Sequence, residues 1–538
     1  MREACQGKLL TSAVLAVLLA GIVPAVAARP APLQTQQQQA SATETKAAPE
    51  SKPAESKPAA ESNAPPKEES SVTDHTIRLG SETISYKATA STTLLKNDKD
   101  EPTASMFSIA YTRSDVKDLS QRPIAFLYNG GPGSASVWLH MGAFGPRRVV
   151  TKSAASTGSS PYDVVDNADC LLDKTDMVFI DPVGTGFSRA VGKAQNKDFW
   201  GIDPDVHSLA QFISIYLSRN NRWNSPKFLI GESYGTFRSV ALGEYLQSHD
   251  GIYINGIVLI SSVLNLNTLS FDTGDDMPYI YYLPSYGATA WYYKTLKNRP
   301  DDLTGFVKDA RQFASTEYAA ALMKGSNLTD SEKSEVAKKF SSFTGLSEEY
   351  VTKADLRVTL GQFRAELDRS RGLTLGRYDS RYSGPTYDLL TERAEYDPSF
   401  SAVSGAFTAA ANRYIRQDLK FNPEQTYEVL PDDVSQNWDW KHNSRPGEPS
   451  NPNVEGDLVQ ALLANSSLQV EAENGYFDMA TPFFATEYTM DHLGLPANLR
   501  AHIHFQYYES GHMIYLNESA LPKLKANIAS LIDNTVKP

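Results

Sequence analysis

Cysteine is almost missing from this chain: Cys5 and Cys170 are the only two in 538 residues. Cys5 precedes the first apolar run and would leave with it, so Cys170 stands alone and an internal disulfide is excluded. An exported protein of this size without bridges fits a bacterial periplasm better than a eukaryotic secretory lumen. No base lies near Cys170 in sequence, so it reads as a buried structural residue. A long basic run is also missing, and the net charge is −12. Both weigh against nucleic acid as a partner. Past residue 27 no stretch is long and apolar enough to span a bilayer, so no integral membrane segment is expected after the N-terminus. No glycine-rich loop continues into Gly-Lys-Ser/Thr, which excludes a P-loop. No metal and no cofactor are expected. Oligomeric state has no signature here.

The N-terminus has the features of a secretory signal. Arg2 and Lys8 are basic, residues 9–23 are apolar, and Ala25-Val26-Ala27 is a small-residue cleavage motif. Residues 1–27 are predicted to be removed, which makes the protein exported, periplasmic or extracellular. Residues 28–71 contain Gln36-Gln37-Gln38-Gln39 and repeated Ser-Lys-Pro units without aromatics. Such a segment has little to bury and is predicted to be a disordered linker. The catalytic domain is predicted over 72–538.

From 72 to 113 apolar and polar residues alternate, as in His75-Thr76-Ile77-Arg78-Leu79, and Lys96-Asn97-Asp98-Lys99-Asp100 is a polar turn. Antiparallel strands follow from that pattern. Continuous apolar runs then occur at 124–128, 177–180, 228–230, 256–260, 468–470 and 503–507. They suit strands buried on both faces. Residues 204–219 carry apolar side chains at helical spacing. Alternating strand and helix signals predict a mostly parallel, doubly wound α/β sheet. Residues 265–455 break the rhythm. They are rich in Tyr and Trp, with helical composition at 331–340 and 354–371, and are predicted to form a cap insertion.

Gly231-Glu232-Ser233-Tyr234-Gly235 follows the apolar run 228–230. G-x-S-x-G between a strand and a helix is the context of a nucleophile elbow. A serine nucleophile needs a base, and the base needs an orienting carboxylate, in the chain order Ser, Asp/Glu, His. Asp478 and His512 fit that order, each in a loop after a strand-like run. The other histidines are less well placed: His75 is too early, His140 precedes the serine, and His502 and His504 lie at or in a strand. Asn129-Gly130-Gly131-Pro132-Gly133 follows the strand 124–128, where this fold carries its oxyanion loop. Gly131 N–H and Tyr234 N–H are the natural pair of oxyanion donors.

Tyr128-Asn129-Gly130-Gly131-Pro132-Gly133-Ser134, Asp181-Pro182-Val183-Gly184-Thr185-Gly186-Phe187-Ser188, Gly231-Glu232-Ser233-Tyr234-Gly235 and Gly511-His512-Met513 occur in that order. Together they resemble the serine carboxypeptidases over about 110–515, most weakly over 265–455. The resemblance implies an α/β-hydrolase fold with a helix-rich cap and release of C-terminal residues from peptide substrates, typically at acidic pH. It implies Ser233, Asp478 and His512 as the triad and Gly131 and Tyr234 as the oxyanion hole. It further implies that Asn129, Gly130 and Glu232 bind the substrate carboxylate and that Met513 borders the leaving residue. The chain departs from the family in three places. Ser134 stands where a disulfide cysteine is common. Asp181-Pro182-Val183-Gly184 lacks the Gln that often follows the Asp. Ala143 stands where a second carboxylate-binding Glu is expected, with His140, Arg147 and Arg148 as candidate substitutes. A serine esterase or acyltransferase on the same scaffold is the alternative. A non-catalytic peptide- or wall-binding protein would have no need for the triad.

Overall fold

The computed structural model describes residues 66–444 and 450–536. The predicted signal and the linker up to residue 65 lie outside them. The first strand, β1 (Ser70–Leu79), begins two residues inside the segment predicted as linker, because it pairs along its whole length with β2 (Glu82–Lys96). β3 (Pro102–Arg113) returns antiparallel after the polar turn, where the Asn97 side chain accepts from the amides of Lys99 and Glu101. The alternating sequence thus forms an antiparallel meander with one face on the core.

The buried runs form β4 (Ile124–Tyr128), β5 (Asp176–Ile180), β6 (Lys227–Glu232), β7 (Gly256–Ile260), β8 (Gln469–Gly475) and β9 (Ile503–Tyr508). With the short Arg189–Ala190 strand against β3, they make one ten-stranded sheet in the order β1-β2-β3-β5-β4-β6-β7-β8-β9. Pairing is antiparallel as far as β3–β5 and parallel from β5 to β9. Successive residues in the central strands face opposite layers. Leu229 of β6 packs with α1 (Ile202–Arg219) and α2 (Tyr234–Ser248). Phe228 and Ile230 face the other side, whose apolar layer includes Leu524 and Ile528 of the C-terminal helix Leu521–Thr535.

Between β7 and β8 no described residue joins this sheet. The segment divides into two parts. Residues Val403, Phe407, Ile415 and Phe421 belong to the layer that also covers β1–β3. Upstream, α3 (Met277–Tyr293) centres a separate cluster that includes Tyr286, Phe313, Phe340 and Phe363. That cluster also takes in Met479, the neighbour of Asp478. The helical composition at 354–371 does not form one helix. Asp355 and Leu356 have φ of 52° and 64°, and a new helix, Leu360–Glu366, starts from a Thr359–Gln362 capping box.

One charge pair is sealed between α1 and α2. Arg238 Nε donates to Asp205 Oδ2 at 2.6 Å and Nη2 donates to Oδ1 at 3.3 Å, with both side chains buried. Removing one partner strands the other charge in a dry site, which costs about 3–5 kcal/mol, whereas replacing both with apolar groups can be neutral. Urea unfolding of Arg238→Met is expected to show a loss of that size. The double variant Arg238→Met/Asp205→Leu should regain most of it. A single variant within about 1 kcal/mol of wild type would contradict this account.

Candidate active site

β6 runs into the sheet interior and stops at Glu232. The next residue, Ser233, takes φ 61° and ψ −131°, a strained conformation for a residue with a Cβ. The turn is held at both ends: Ser233 N–H donates to Ile260 O at 3.0 Å, and Thr236 N–H donates to Ser233 O at 2.8 Å. Two glycines here are required by space, one before Ser233 and one on the loop after β4. A Cβ on Gly231 would lie 2.1 Å from Gly235 O, and one on Gly130 would lie 2.4 Å from Tyr234 N. Ser233 is therefore presented at the mouth of α2, partly exposed, on the wall of a cavity.

Asp478 follows β8 and His512 follows β9, so both loops leave the same edge of the sheet. His512 Nδ1 is 2.8 Å from Asp478 Oδ2. Asp478 is fixed in turn by the amides of Ala480 (2.7 Å) and Thr481 (3.0 Å) and by the Thr481 hydroxyl (2.8 Å). The backbone of His512 is held on both sides, its N–H by Tyr378 O and its C=O by the Ser261 hydroxyl. Burial works against a charged imidazole here. The Asp478 charge and hydrogen bond, aided by Glu232, outweigh burial and lift His512 above the usual histidine range. His512 Nε2 is buried and bonds to no described group. It lines the same cavity as Ser233.

The amides of Gly131 and Tyr234 make no hydrogen bond to a described residue. Tyr234 opens α2, where unpaired N–H groups and the helix dipole favour negative charge. Met513 lies on the cavity wall with Trp138, Tyr378 and Phe400. The wall also includes Leu266, Tyr234 and Trp440.

Glu232 is the second carboxyl group of the site. It is buried, and Asn129 Nδ2 donates to its Oε1 at 2.9 Å. Its Oε2 has no hydrogen-bond partner among the described residues. Burial pushes its carboxyl up to about 7, helped by the negative charge of Asp478. His512, the Tyr515 hydroxyl and the Asn129 amide act in the opposite direction. Asn129 is itself oriented, its Oδ1 accepting from Leu139 N–H (3.0 Å) and its backbone C=O from Arg238 Nη1 (2.6 Å). Gly130 completes this floor.

Each residue expected at the site therefore reaches the one cavity: Ser233, His512, Gly131, Tyr234, Asn129, Gly130, Glu232 and Met513 line it, and Asp478 stands behind His512. The three substitutes for a second glutamate do not. His140 is buried against Tyr111 Oη at 2.6 Å, with burial lowering its imidazole to about 3. Arg147 pairs with Asp166, and neither Arg147 nor Arg148 lines the cavity. Ala143 packs in the core. Ser134 accepts from Trp138 Nε1 at 3.0 Å, filling the place of a cysteine with a local hydrogen bond. Cys170 is buried and its thiol is pushed up to about 12 by that burial, which suits a structural role. Asp181 braces the glycine loop by accepting from Ser136 N–H at 2.8 Å.

Sequence reasoning missed Arg238, Thr481, Tyr515 and Arg377. Two carried a local signal. Thr481 stands three residues after Asp478, the spacing at which a side chain can close a turn on an aspartate. Arg238 is a lone cation within the apolar start of α2. Tyr515 stands three residues after His512, and Arg377 is brought to the site by the fold alone.

The serine carboxypeptidase family model matches residues 91–513. No curated protein sequence matches the chain. Among solved structures, a prohormone-processing carboxypeptidase from Saccharomyces cerevisiae superposes with a TM-score of 0.51 at 17% identity, covering 84% of this chain and 91% of that one. A monoglyceride lipase from the same yeast superposes with a TM-score of 0.35 at 11% identity, over 83% and 96%. A proline iminopeptidase from Mycobacterium smegmatis gives 0.34 at 11%, over 86% and 99%. The sheet order, the elbow at Ser233 and the family match over most of the chain agree: this protein belongs to the serine carboxypeptidase family.

Proposed function

We propose that this serine carboxypeptidase works outside the cytoplasm, with Ser233 as nucleophile and Glu232 as the reader of the substrate's terminal carboxylate. The observation that carries the reading is the convergence of Ser233, the Asp478–His512 pair and the Asn129–Glu232 pair on one cavity. Ser233 Oγ attacks the carbonyl carbon of the last peptide bond while His512 Nε2 takes its proton. Asp478 holds the imidazole in the tautomer that makes this possible and stabilises the imidazolium. Negative charge collects on the carbonyl oxygen, where the amides of Gly131 and Tyr234 receive it. Each such donor contributes about 3 kcal/mol. His512 then hands the proton to the leaving amine, and water hydrolyses the acyl-enzyme by the same route reversed. Peptides with a free carboxyl end are the substrates. Neutral Glu232 donates a hydrogen bond to that end, where an ionised Glu232 would repel it.

Ser233→Ala is expected to abolish fluorophosphonate labelling and to lower kcat by several orders of magnitude, with His512→Ala close behind because the residues act as a unit. Asp478→Asn should cost about 10⁴-fold through the wrong tautomer. Near-wild-type turnover in Ser233→Ala would remove the mechanism. Cleavage of ester substrates with no cleavage of free-acid peptides would reassign the enzyme as an esterase.

Export is supported by the basic start, the apolar run 9–23 and Ala25-Val26-Ala27. N-terminal sequencing of the exported protein is expected to begin near Ala28 or Arg29, and an intact Met1 would refute export by this signal.

The raised carboxyl of Glu232 fixes the sign of the pH dependence. It is neutral below about 7 and becomes charged above. Activity on free-acid peptides should therefore fall as pH rises through about 7, and activity on amidated peptides should not show that fall. The acid limb belongs to His512, which must be neutral to accept a proton. Part of its elevation comes from the Glu232 charge. Glu232→Gln cannot ionise, so it should flatten the alkaline fall, while the acid limb, which lies where Glu232 is already neutral, should stay in place. kcat/KM profiles for paired acid and amide peptides check both outcomes. Identical profiles, unchanged in Glu232→Gln, would exclude Glu232 from carboxylate recognition.

A further inference from the structure

The cavity has two sides, set by the chemistry of its base. His512 delivers its proton to the leaving amine, so the leaving residue must lie on the imidazole side of Ser233. That side is built from aromatic groups. The Tyr378 ring stands 5.3 Å from the His512 ring, and Phe400 lies 6.0 Å from Tyr378 and 5.6 Å from Trp138, between centroids. Next to Tyr378 is Arg377, its guanidinium carbon 5.5 Å from the Tyr378 ring centroid. Arg377 is the one Lys or Arg among the described residues that line the cavity.

Its charge is not used by the fold. Among the described residues the Arg377 side chain makes no hydrogen bond and no ion pair, although its backbone N–H donates to Asp397 Oδ2 at 2.9 Å. Asp397 is occupied elsewhere. It accepts from the amides of Ser399 and Phe400 and from the Ser399 hydroxyl, and it faces Arg364 at 3.9 Å. Arg381 and Arg311 have acids of their own, Asp379 and Glu487, and Arg299 and Arg416 are held by backbone carbonyls, whereas the Arg377 side chain has neither kind of partner among the described residues. A guanidinium left without an acid, on a wall of a catalytic cavity, is a receptor for a carboxylate, which it can grip with two parallel hydrogen bonds.

We propose that Arg377 is a specificity residue that receives the acidic side chain of the leaving residue, so that peptides ending in Asp or Glu are preferred. The inference rests on the carboxypeptidase reading above. The carboxylate concerned is that of the side chain, because the main-chain carboxylate is directed to the floor at Asn129 and Glu232. The aromatic wall packs the aliphatic part of the side chain, and Arg377 meets its end.

The test uses peptides identical except for a C-terminal Glu, Gln or Lys, at about pH 6.5, where a substrate glutamate is ionised and the acid limb of His512 is less severe. For the wild type, kcat/KM for Glu is expected to exceed that for Gln at least tenfold, and added salt should narrow the ratio. Arg377→Gln should bring the Glu-to-Gln ratio close to one, and Arg377→Glu should invert the preference toward Lys. A wild-type ratio at or below one overturns the proposal without any variant, so a variant that fails to fold does not shield it. A ratio unchanged in Arg377→Gln also overturns it. So does a variant that weakens free-acid peptides relative to amides while keeping the Glu preference, since Arg377 would then read the terminus. Failure of the wild type to cleave any free-acid peptide would instead defeat the carboxypeptidase reading.

Discussion

The buried guanidinium of Arg238 is the contact on which the geometry of the site depends. It has no access to water, so each of its nitrogens must find an acceptor inside. Asp205 of α1 takes two, and the backbone C=O of Asn129 takes a third at 2.6 Å. The same group lies over the rings of Tyr128 and Tyr234, at 5.4 and 5.2 Å. One side chain therefore ties together both helices of a layer, the end of β4 and the glycine loop. The amides of Gly131 and Tyr234 come from two separate segments, and their spacing is set by how those segments are locked. A donor moved by about an ångström loses much of its value to a transition state. Burial of the Arg238–Asp205 pair adds little net stability, because desolvation offsets most of its attraction. Its contribution is to geometry.

In the proposed mechanism two carboxyl groups flank Ser233, and their environments suit them to opposite duties. Asp478 accepts from two amides, a hydroxyl and an imidazole, so its negative charge is surrounded by donors. Glu232 accepts from the Asn129 amide and is otherwise enclosed, so the neutral form is favoured. The difference of donors decides which group orients a base and which can meet an anionic substrate end. His512 lies between them electrostatically. Ionising Glu232 makes the imidazole harder to deprotonate, so a rise in pH acts on both recognition and catalysis.

The central architecture was legible because buried parallel strands are continuous apolar runs, and six such runs became six strands. The gathering of the site residues was legible for a related reason: in this topology ligand sites form in loops just past strands, where Ser233, Asp478 and His512 all stand. What escaped was decided by contacts between distant segments. The break at Asp355-Leu356 follows from competing caps and cluster packing in the cap, and composition there still reads as helix. Arg377 reaches the cavity only through the fold of residues 265–455, far from Ser233 in sequence, so its approach has no local signature.

Several polar groups near the nucleophile are buried without partners among the described residues: His512 Nε2, Glu232 Oε2 and the Tyr515 hydroxyl. A buried polar atom left unpaired costs about 1–3 kcal/mol, and folded proteins keep few of them. Two of these belong to residues that line one cavity, His512 and Glu232, and Tyr515 approaches Glu232 from the core. At this cavity the missing partners of His512 and Glu232 can arrive with the substrate. A peptide end offers what they lack: a carboxylate to accept from neutral Glu232, and, during reaction, a serine proton and a leaving amine for His512. The cost borne by the free enzyme is then recovered on binding and in the transition state, where it favours catalysis over mere retention. The same reasoning separates these groups from Arg238, each of whose three guanidinium nitrogens is hydrogen-bonded within the fold. Satisfied buried charge fixes the frame, and the unpaired polar atoms on the cavity wall are left for the substrate.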